Sequence, residues 1–351
     1  MTERKNKVTM SDIARKSGLS LSTVSLVLND KPGLPTQTRA KVIRAAQELG
    51  YTMRSPEQAT SKNNSLETIG LLVKRAEGDS TPPTSNIFFS HVISGVEAGC
   101  RQEGISMLMS TLPVDANNIS LEIPAIIQDP RVNGLIFLGN YIDERLYAAV
   151  RQRAIPTVLV EAFCAKQDLD SVIIENAHGA YTAVKYLLDK GHRHIGFIGS
   201  YSDSRISFRY RRQGYIDALK DYGITKTYFA DCPHNDHAAV IEATNRLLCE
   251  NPQVTALFGC NDEVAVIAIH GANKCGRNVP GDVSIVGFDN NAIAEFSFPA
   301  LTTVHVDKIS LGRLAVQLII SRAENPSQGR VTMRVHTKLV ERNSVRDIRG
   351  L

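Results

Sequence analysis

No apolar run in this 351-residue chain approaches the roughly 18 consecutive residues of a membrane span, which excludes a helical membrane protein. The opening "MTERKNKVTM" carries charge but leads into no apolar segment, so it is no secretory signal, and a cytoplasmic protein is expected. Cysteine is sparse: Cys100, Cys164, Cys232, Cys249, Cys260 and Cys275 are scattered, with no C-x-x-C pair and no Cys/His ligand spacing. Neither a disulfide framework nor a metal site is therefore expected. Also missing are G-x-G-x-x-G, a Walker loop, H-E-x-x-H and a G-x-S-x-G elbow. No catalytic set and no cofactor loop emerges, so an enzyme is not expected. Tryptophan is absent too, which excludes nothing.

What the chain does have is uneven charge. Residues 1–65 hold eleven Lys/Arg and five Asp/Glu, a net of +6, whereas the whole chain is +4, leaving the remainder at −2. A basic head on a near-neutral body is the distribution of a protein whose one end meets a polyanion.

Within the head, Thr9 followed by Asp12 resembles a capping pair opening a helix, with Ile13 and Ala14 inward and Gly18 breaking it. Ser20 caps a second helix whose buried stripe is Val24, Val27 and Leu28. After "KPGLPTQ", Thr36 caps a third helix carrying Ala40, Val42, Ile43, Ala46 and Leu49, ended by Gly50. Two short helices joined through glycine and covered by a third form a helix-turn-helix arrangement. A generic three-helix protein-binding module has the same pattern, and the basic excess favours DNA. On the second helix, Ser22, Ser25, Leu26 and Asn29 share one side through the 3.6-residue period. The polar three can donate to phosphates or base edges, while Leu26, like Leu21, can only pack against a thymine methyl. A polar segment over 52–67, with Pro56, has the composition of a linker.

From Thr68, strand-like runs ("TIGLLV", "ISMLMS", "VNGLIFLG", "IPTVLVE") alternate with helical patterns such as 88–104. The scheme repeats with "HIGFIG", a helix over 208–222, "VTALFG", a helix over 262–275 and "DVSIVGFD". Two such sets imply two α/β lobes with parallel sheets covered on both faces, and a ligand cleft at the strands' C-terminal ends. Arg205, Ser207, Arg209, Arg211, Arg212, Asn261, Asp262 and Asp289 fall at those ends and suit a polyhydroxylated or amide-bearing small molecule. The bland alternative makes Asp262 a helix cap, Arg209 and Arg212 surface residues, and "GHRH" (191–194) a polar turn.

Motifs from head and body together resemble the LacI/GalR family of bacterial transcription regulators. They are "SDIARKSGLSLSTVSLVLND", "TRAKVIRAAQELGY", "GHRHIGFIG", "NDEVAVIAI", "VPGDVSIVGFDN" and "PALTTVHVD" followed by "LGRLAVQLII". The resemblance implies an all-α helix-turn-helix domain at 8–54, a hinge linker at 55–67 and a periplasmic-binding-protein-like type I domain at 68–345. Its first lobe is expected at about 68–162 plus 291–324, and its second at about 163–290 plus 325–345. It further implies a homodimer on a pseudopalindromic double-stranded operator, a hinge helix entering the minor groove, and an effector that alters the lobes. That effector is usually a sugar inducer and, in another branch, a purine corepressor.

By the same resemblance Leu21 and Ser22 match base-contacting positions, and Leu26 a third, often Arg in the family. Thr9, Ser11, Ser20, Thr23, Ser25 and Asn29 complete the candidate DNA contacts on the head. Phe88 and Phe89 fall near the family's aromatic wall. Arg205 and Ser207 fit effector positions of some branches, Arg211 the Arg before a short "xxG", Asn261 a sugar contact, and Asp289 an acidic ligand anchor. Three departures stand out: Leu26 in place of Arg, Thr60 where the hinge wedges a Leu, and Cys232 where relatives place a stacking aromatic. A ligand-responsive repressor of carbohydrate genes is expected, with no cofactor. An activator, a corepressor-dependent regulator and a DNA-independent sugar-binding protein are the alternatives.

Overall fold

The computed structural model describes residues 8–28, 34–49, 51, 66–115, 117–166, 168–199 and 206–350. The chain divides into two compact units, residues 1–65 and 66–351. In the first unit, α1 (Met10–Ser17), α2 (Leu21–Leu28) and α3 (Thr36–Glu48) surround a small core of Ile13, Val24, Val27, Val42, Ala45 and Ala46. The Thr9 N–H donates to Asp12 Oδ2 at 2.9 Å, within the expected capping box. Gly18 ends α1 in the left-handed conformation, φ 66°. Ser20 Oγ accepts from the Thr23 N–H at 3.1 Å and so caps α2. Helix α3 departs from expectation at its start, where Pro35 holds the cap position and Thr36 is the first helical residue. Ala40 is exposed rather than inward. It lies off the stripe made by positions 42, 45, 46 and 49, which the helical period puts on one side.

The second unit carries two sheets of six strands. One orders β13 (Thr332–Val335), β7 (Asp170–Ile174), β5 (Thr157–Val160), β3 (Gly134–Leu138), β1 (Thr68–Ala76) and β2 (Ser106–Val114), all parallel. The other orders β14 (Thr337–Val340), β12 (Thr302–Val306), β11 (Ser284–Asp289), β10 (Ala256–Gly259), β8 (Ile195–Gly199) and β9 (Tyr228–Asp231), parallel except for β14 against β12. A ribbon of β4 (Tyr141–Ile142) and β6 (Phe163–Cys164) prolongs the first sheet's central strands. Every residue of β3, β5, β8, β10 and β11 is buried, as strands covered on both faces must be. The covering helices are α4 (Ile87–Gln102), α5 (Glu144–Arg153), α6 (Asn176–Asp189), α7 (Ile206–Asp221), α8 (His237–Glu250), α9 (Asp262–Lys274), α10 (Ala292–Phe296) and α11 (Lys308–Glu324).

Strand pairing moves the expected lobe limits. β7 hydrogen-bonds to β5 and β13 to β7, so residues 163–174 and 332–335 belong with the first lobe. β12 pairs with β11, which puts it in the second lobe. The chain therefore crosses at Glu175, Asp307 and His336, and two of these crossings touch: His336 Nδ1 lies 2.8 Å from Glu175 Oε2. Apolarity marks a strand without naming its neighbour, so the sequence could not place these limits.

One further expectation is corrected. Cys249 and Cys275, at the C-terminal ends of α8 and α9, form a disulfide. Packing of the two helices brings them together, which their spacing does not reveal; Cys100, Cys164, Cys232 and Cys260 are buried. Within the "GHRH" turn His192 is buried, with Nδ1 2.9 Å from Thr255 Oγ1 and Nε2 3.1 Å from the Arg346 carbonyl oxygen. Among the described residues no helix is long and apolar enough to cross a membrane, and no His/Cys/Asp/Glu group is placed to hold a metal ion.

Candidate functional site

The C-terminal ends of β3, β5, β10 and β11 converge on a cavity of about 290 Å³ between the lobes. Ligands of open parallel sheets bind at such strand ends. Two of the ends leave their strands through unusual backbone: Glu161 at φ 44° and Asp289 at φ 109°. Non-glycine residues held there cost roughly 1–3 kcal/mol each and cluster at ligand sites.

Glu161 is buried and fully engaged. Its Oε1 accepts from the Ile174 N–H at 2.6 Å, and its Oε2 from Asn176 Nδ2 at 3.1 Å and Ser207 Oγ at 2.8 Å. Ser207 stands on α7 of the second lobe, so that last bond spans the cleft. Burial pushes the Glu161 carboxyl above its ordinary range.

Arg211, only 3% exposed, donates from Nε to Asn176 Oδ1 at 2.9 Å and from Nη1 to the Cys260 carbonyl at 2.7 Å. Its Nη2 donates to Asp289 Oδ1 at 3.0 Å, and its guanidinium lies 3.7 Å from the Phe288 ring centroid. The spacing Arg211-x-x-Gly214 has a physical reason. A Cβ on Gly214 would stand 2.1 Å from the Ala177 carbonyl oxygen, so glycine lets α7 approach α6 closely enough for Arg211 to reach Asn176. Lys308, at the start of α11, donates Nζ to the Asp289 carbonyl and so ties this strand end to the crossing helix. Burial raises the Asp289 carboxyl, with Arg211 and Lys308 opposing the shift.

Phe88, Phe89, Ser207, Arg211, Asn261 and Asp289 all line the cavity; Arg205 lies outside the described residues. Asn261, not Asp262, caps α9, its Oδ1 accepting from the Val264 N–H at 2.9 Å. Asp262 is fully buried, bonded to Thr303 Oγ1 and to the Asn291 N–H; burial first, then the Asp289 charge, pushes its carboxyl up to about 7. Arg212 pairs with Asp231 at 2.7 Å and stacks on Phe229, outside the cavity wall. Cys232 is buried and does not line the cavity. The aromatic surface comes instead from Phe163 and Phe208, the latter edge-on to His234 with centroids 5.2 Å apart.

Asn140, Glu161, Phe163, Phe208 and His234 were not singled out from the sequence. The first two carried a usable signal, a polar residue directly closing an apolar strand in "GLIFLGN" and "TVLVE".

On the head, Thr9, Ser11, Ser20, Ser22, Leu21 and Leu26 are exposed, the two leucines by 51% and 41%; Thr23 and Ser25 are half-buried. Ser20 Oγ lies 2.8 Å from both Ser22 Oγ and Thr23 Oγ1, a cluster of hydroxyls at the start of α2. Asn29 and Thr60 lie outside the described residues.

Residues 9–53 match the description "Bacterial regulatory proteins, lacI family", and residues 184–345 that of a periplasmic binding protein-like domain. The HTH-type transcriptional repressor PurR of Proteus mirabilis (strain HI4320) is 34% identical over 344 residues, 97% of each chain. The chain belongs to the LacI family. As a family member it is a DNA-binding transcription regulator whose head is the helix-turn-helix domain. The ribose operon repressor of Haemophilus influenzae is 31% identical over 339 residues, 96% of this chain and 98% of that one. In fold the chain is similar to a transcriptional regulator CelR–cellobiose complex, with TM-score 0.69 and 24% identity over 96% and 99% of the two chains. It is also similar to the lac repressor dimer bound to operator and the anti-inducer ONPF, with TM-score 0.67 and 23% identity over 97% and 100%.

Proposed function

We propose that this LacI-family regulator is a cytoplasmic, non-enzymatic repressor that binds a pseudopalindromic operator as a homodimer and responds to a small sugar-like effector held between its lobes. One observation carries the effector assignment: the buried Arg211–Asp289 pair meets the Phe88, Phe89 and Phe163 side chains in one cavity that draws on both lobes. Carboxylate and guanidinium suit hydroxyls, and aromatic faces suit the C–H side of a sugar ring. The volume of about 290 Å³ lies at the small end of the roughly 300–1,000 Å³ typical of ligand sites. That favours a single ring over a longer oligosaccharide. The named relatives, one called an HTH-type transcriptional repressor PurR and one a ribose operon repressor, support repression.

DNA contacts are assigned to Leu21, Ser22, Ser25 and Leu26 on α2, with Thr9, Ser11, Ser20 and Thr23 beside them and Asn29 and Thr60 further along the chain. The test begins with DNA selected by the full-length protein from a random pool. A thermal-shift screen of free sugars, sugar phosphates and nucleobases then identifies an effector, and operator affinity is measured with and without it. A sugar that shifts both melting and operator affinity is the expected result. A nucleobase doing so in place of every sugar refutes the carbohydrate assignment.

A further inference from the structure

At the cavity wall, the side-chain oxygen of Asn140 is left without a partner among the described residues. Asn140 is 0% exposed and lines the cavity, and its Oδ1 has no hydrogen-bond partner among the described residues. The orientation of its amide is set, because Nδ2 donates to the Leu72 carbonyl at 3.2 Å and an oxygen there would face another oxygen. The backbone around it is also fixed. The Asn140 carbonyl accepts from the Phe163 N–H at 2.9 Å, and Gly139 precedes it at φ 76°. A Cβ on Gly139 would stand 2.5 Å from the Phe89 ring, so the aromatic wall seats directly against this turn. Buried acceptors are satisfied in the great majority of native structures, and an orphan beside a cavity points to a donor supplied from outside the chain.

The charges around it narrow that donor. Four carboxylates, Asp79, Glu161, Glu263 and Asp289, line the cavity against Lys74, Arg75 and Arg211, and Arg211 is already matched by Asp289. A phosphate ester would add negative charge to a wall that already carries four carboxyl groups. A hydroxyl supplies what Asn140 lacks and adds no charge.

We infer that Asn140 is an effector-contacting residue that selects an uncharged, hydroxyl-rich ligand over its phosphorylated counterpart. The inference rests on the effector cleft proposed above and names the chemical class that cleft takes. Asn140 receives a hydroxyl from the first-lobe side while Asp289 and Arg211 hold the ligand from the second, so one molecule contacts both lobes.

Calorimetric titration of the full-length protein with D-ribose, D-glucose and cellobiose, and with ribose 5-phosphate, glucose 6-phosphate and hypoxanthine, tests this. The expected result is that a free monosaccharide binds and its phosphate ester binds at least tenfold more weakly. Asn140→Ala weakens the free sugar at least tenfold as well. A phosphate ester that binds as tightly as its parent, using Lys74 and Arg75, overturns the inference while leaving a carbohydrate effector standing. An Asn140→Ala affinity within twofold of wild type overturns it too, since no ligand hydroxyl then depends on Asn140 Oδ1. Should Asn140→Ala not fold, the comparison of ester with parent sugar on the wild-type protein still decides. Binding by hypoxanthine alone, or by nothing in the set, defeats the carbohydrate assignment and this inference with it.

Discussion

Replacing Asp289 by Ala should cost this protein much of its stability before it reveals anything about ligand binding. The Arg211 and Asp289 side chains are 4% and 7% exposed, with 3.0 Å between nitrogen and oxygen. Removing the carboxylate leaves a guanidinium under Phe288 with its bonds to Asn176 and the Cys260 carbonyl but no countercharge. Breaking a buried ion pair from one side typically costs about 3–5 kcal/mol. Against the roughly 5–15 kcal/mol of a typical domain, that is a fifth or more of the stability. Asp289→Asn keeps the shape, an acceptor for Nη2 and a residue type that tolerates positive φ, so its cost should be about 1–3 kcal/mol. Converting both residues together to Arg211→Met and Asp289→Leu removes the uncompensated charge and should cost less than Asp289→Ala alone.

The chain supplies a selective probe for the measurement. It has no tryptophan, and all eleven phenylalanines fall between residues 88 and 298, so near-ultraviolet dichroism in the phenylalanine band reports the body and not the head. Urea unfolding followed in that band gives the loss for each variant. An Asp289→Ala destabilisation below about 1 kcal/mol, the range of an exposed pair, would refute the claim that this is a buried, mutually dependent pair. A double variant as unstable as the two single losses added would refute it equally. If the claim holds, effector-response experiments belong on Asp289→Asn, where a lost response is not a lost fold.

Asp262 gives the body a stability that falls as pH rises. Its folded-state carboxyl sits at about 7 against 3.8 in the open chain, so the contribution is complete below pH 4 and is lost on the way to pH 7; the integral is on the order of 4 kcal/mol. Asp262→Asn should flatten that slope, and an unchanged slope in urea unfolding at pH 4.5 and 7.5 speaks against it. Gly214→Ala should push α7 from α6 and weaken both stability and the Arg211–Asn176 bond, read as a melting loss together with weakened effector binding; a variant that melts and binds like wild type contradicts the packing argument. Leu26→Arg should move the preferred base at one operator position towards guanine, with about 1–3 kcal/mol of discrimination, and identical motifs from random-pool selection would sink the proposed contact. Denatured without reductant, the protein should present four reactive thiols of its six cysteines, and six after reduction.

Features set by neighbouring residues could be read from the sequence, whereas those set by distant partners could not. The Thr9–Asp12 cap, the Gly18 stop and the Ser20 cap each involve residues within five positions, and each stands where the sequence puts it. The strands that line the cleft were legible because they are unbroken apolar runs. Which sheet each joins was not, because β7 and β12 owe their places to partners chosen by tertiary packing. The same limit hid the Cys249–Cys275 bond and the burial of His192, whose partners lie far along the chain.

The candidate site follows the same division, and this explains which of its residues escaped notice. Arg211, Asn261 and Asp289 sit inside recognisable motifs of the second lobe, so a family resemblance was enough to find them. Asn140 and Glu161 sit at strand ends of the first lobe, and Glu161 gains its role from Ser207, which the facing lobe supplies across the cleft. Glu161 shows what that implies for the ligand. Its carboxylate already holds Ser207 and Asn176, and Asn176 in turn holds Arg211. A ligand entering between them meets a network that joins both lobes rather than two independent walls. Any hydroxyl that draws Ser207 or Asn176 away from Glu161 must therefore alter how firmly the lobes are held, and the Glu175–His336 contact at two of the crossings stands where such a change would be felt.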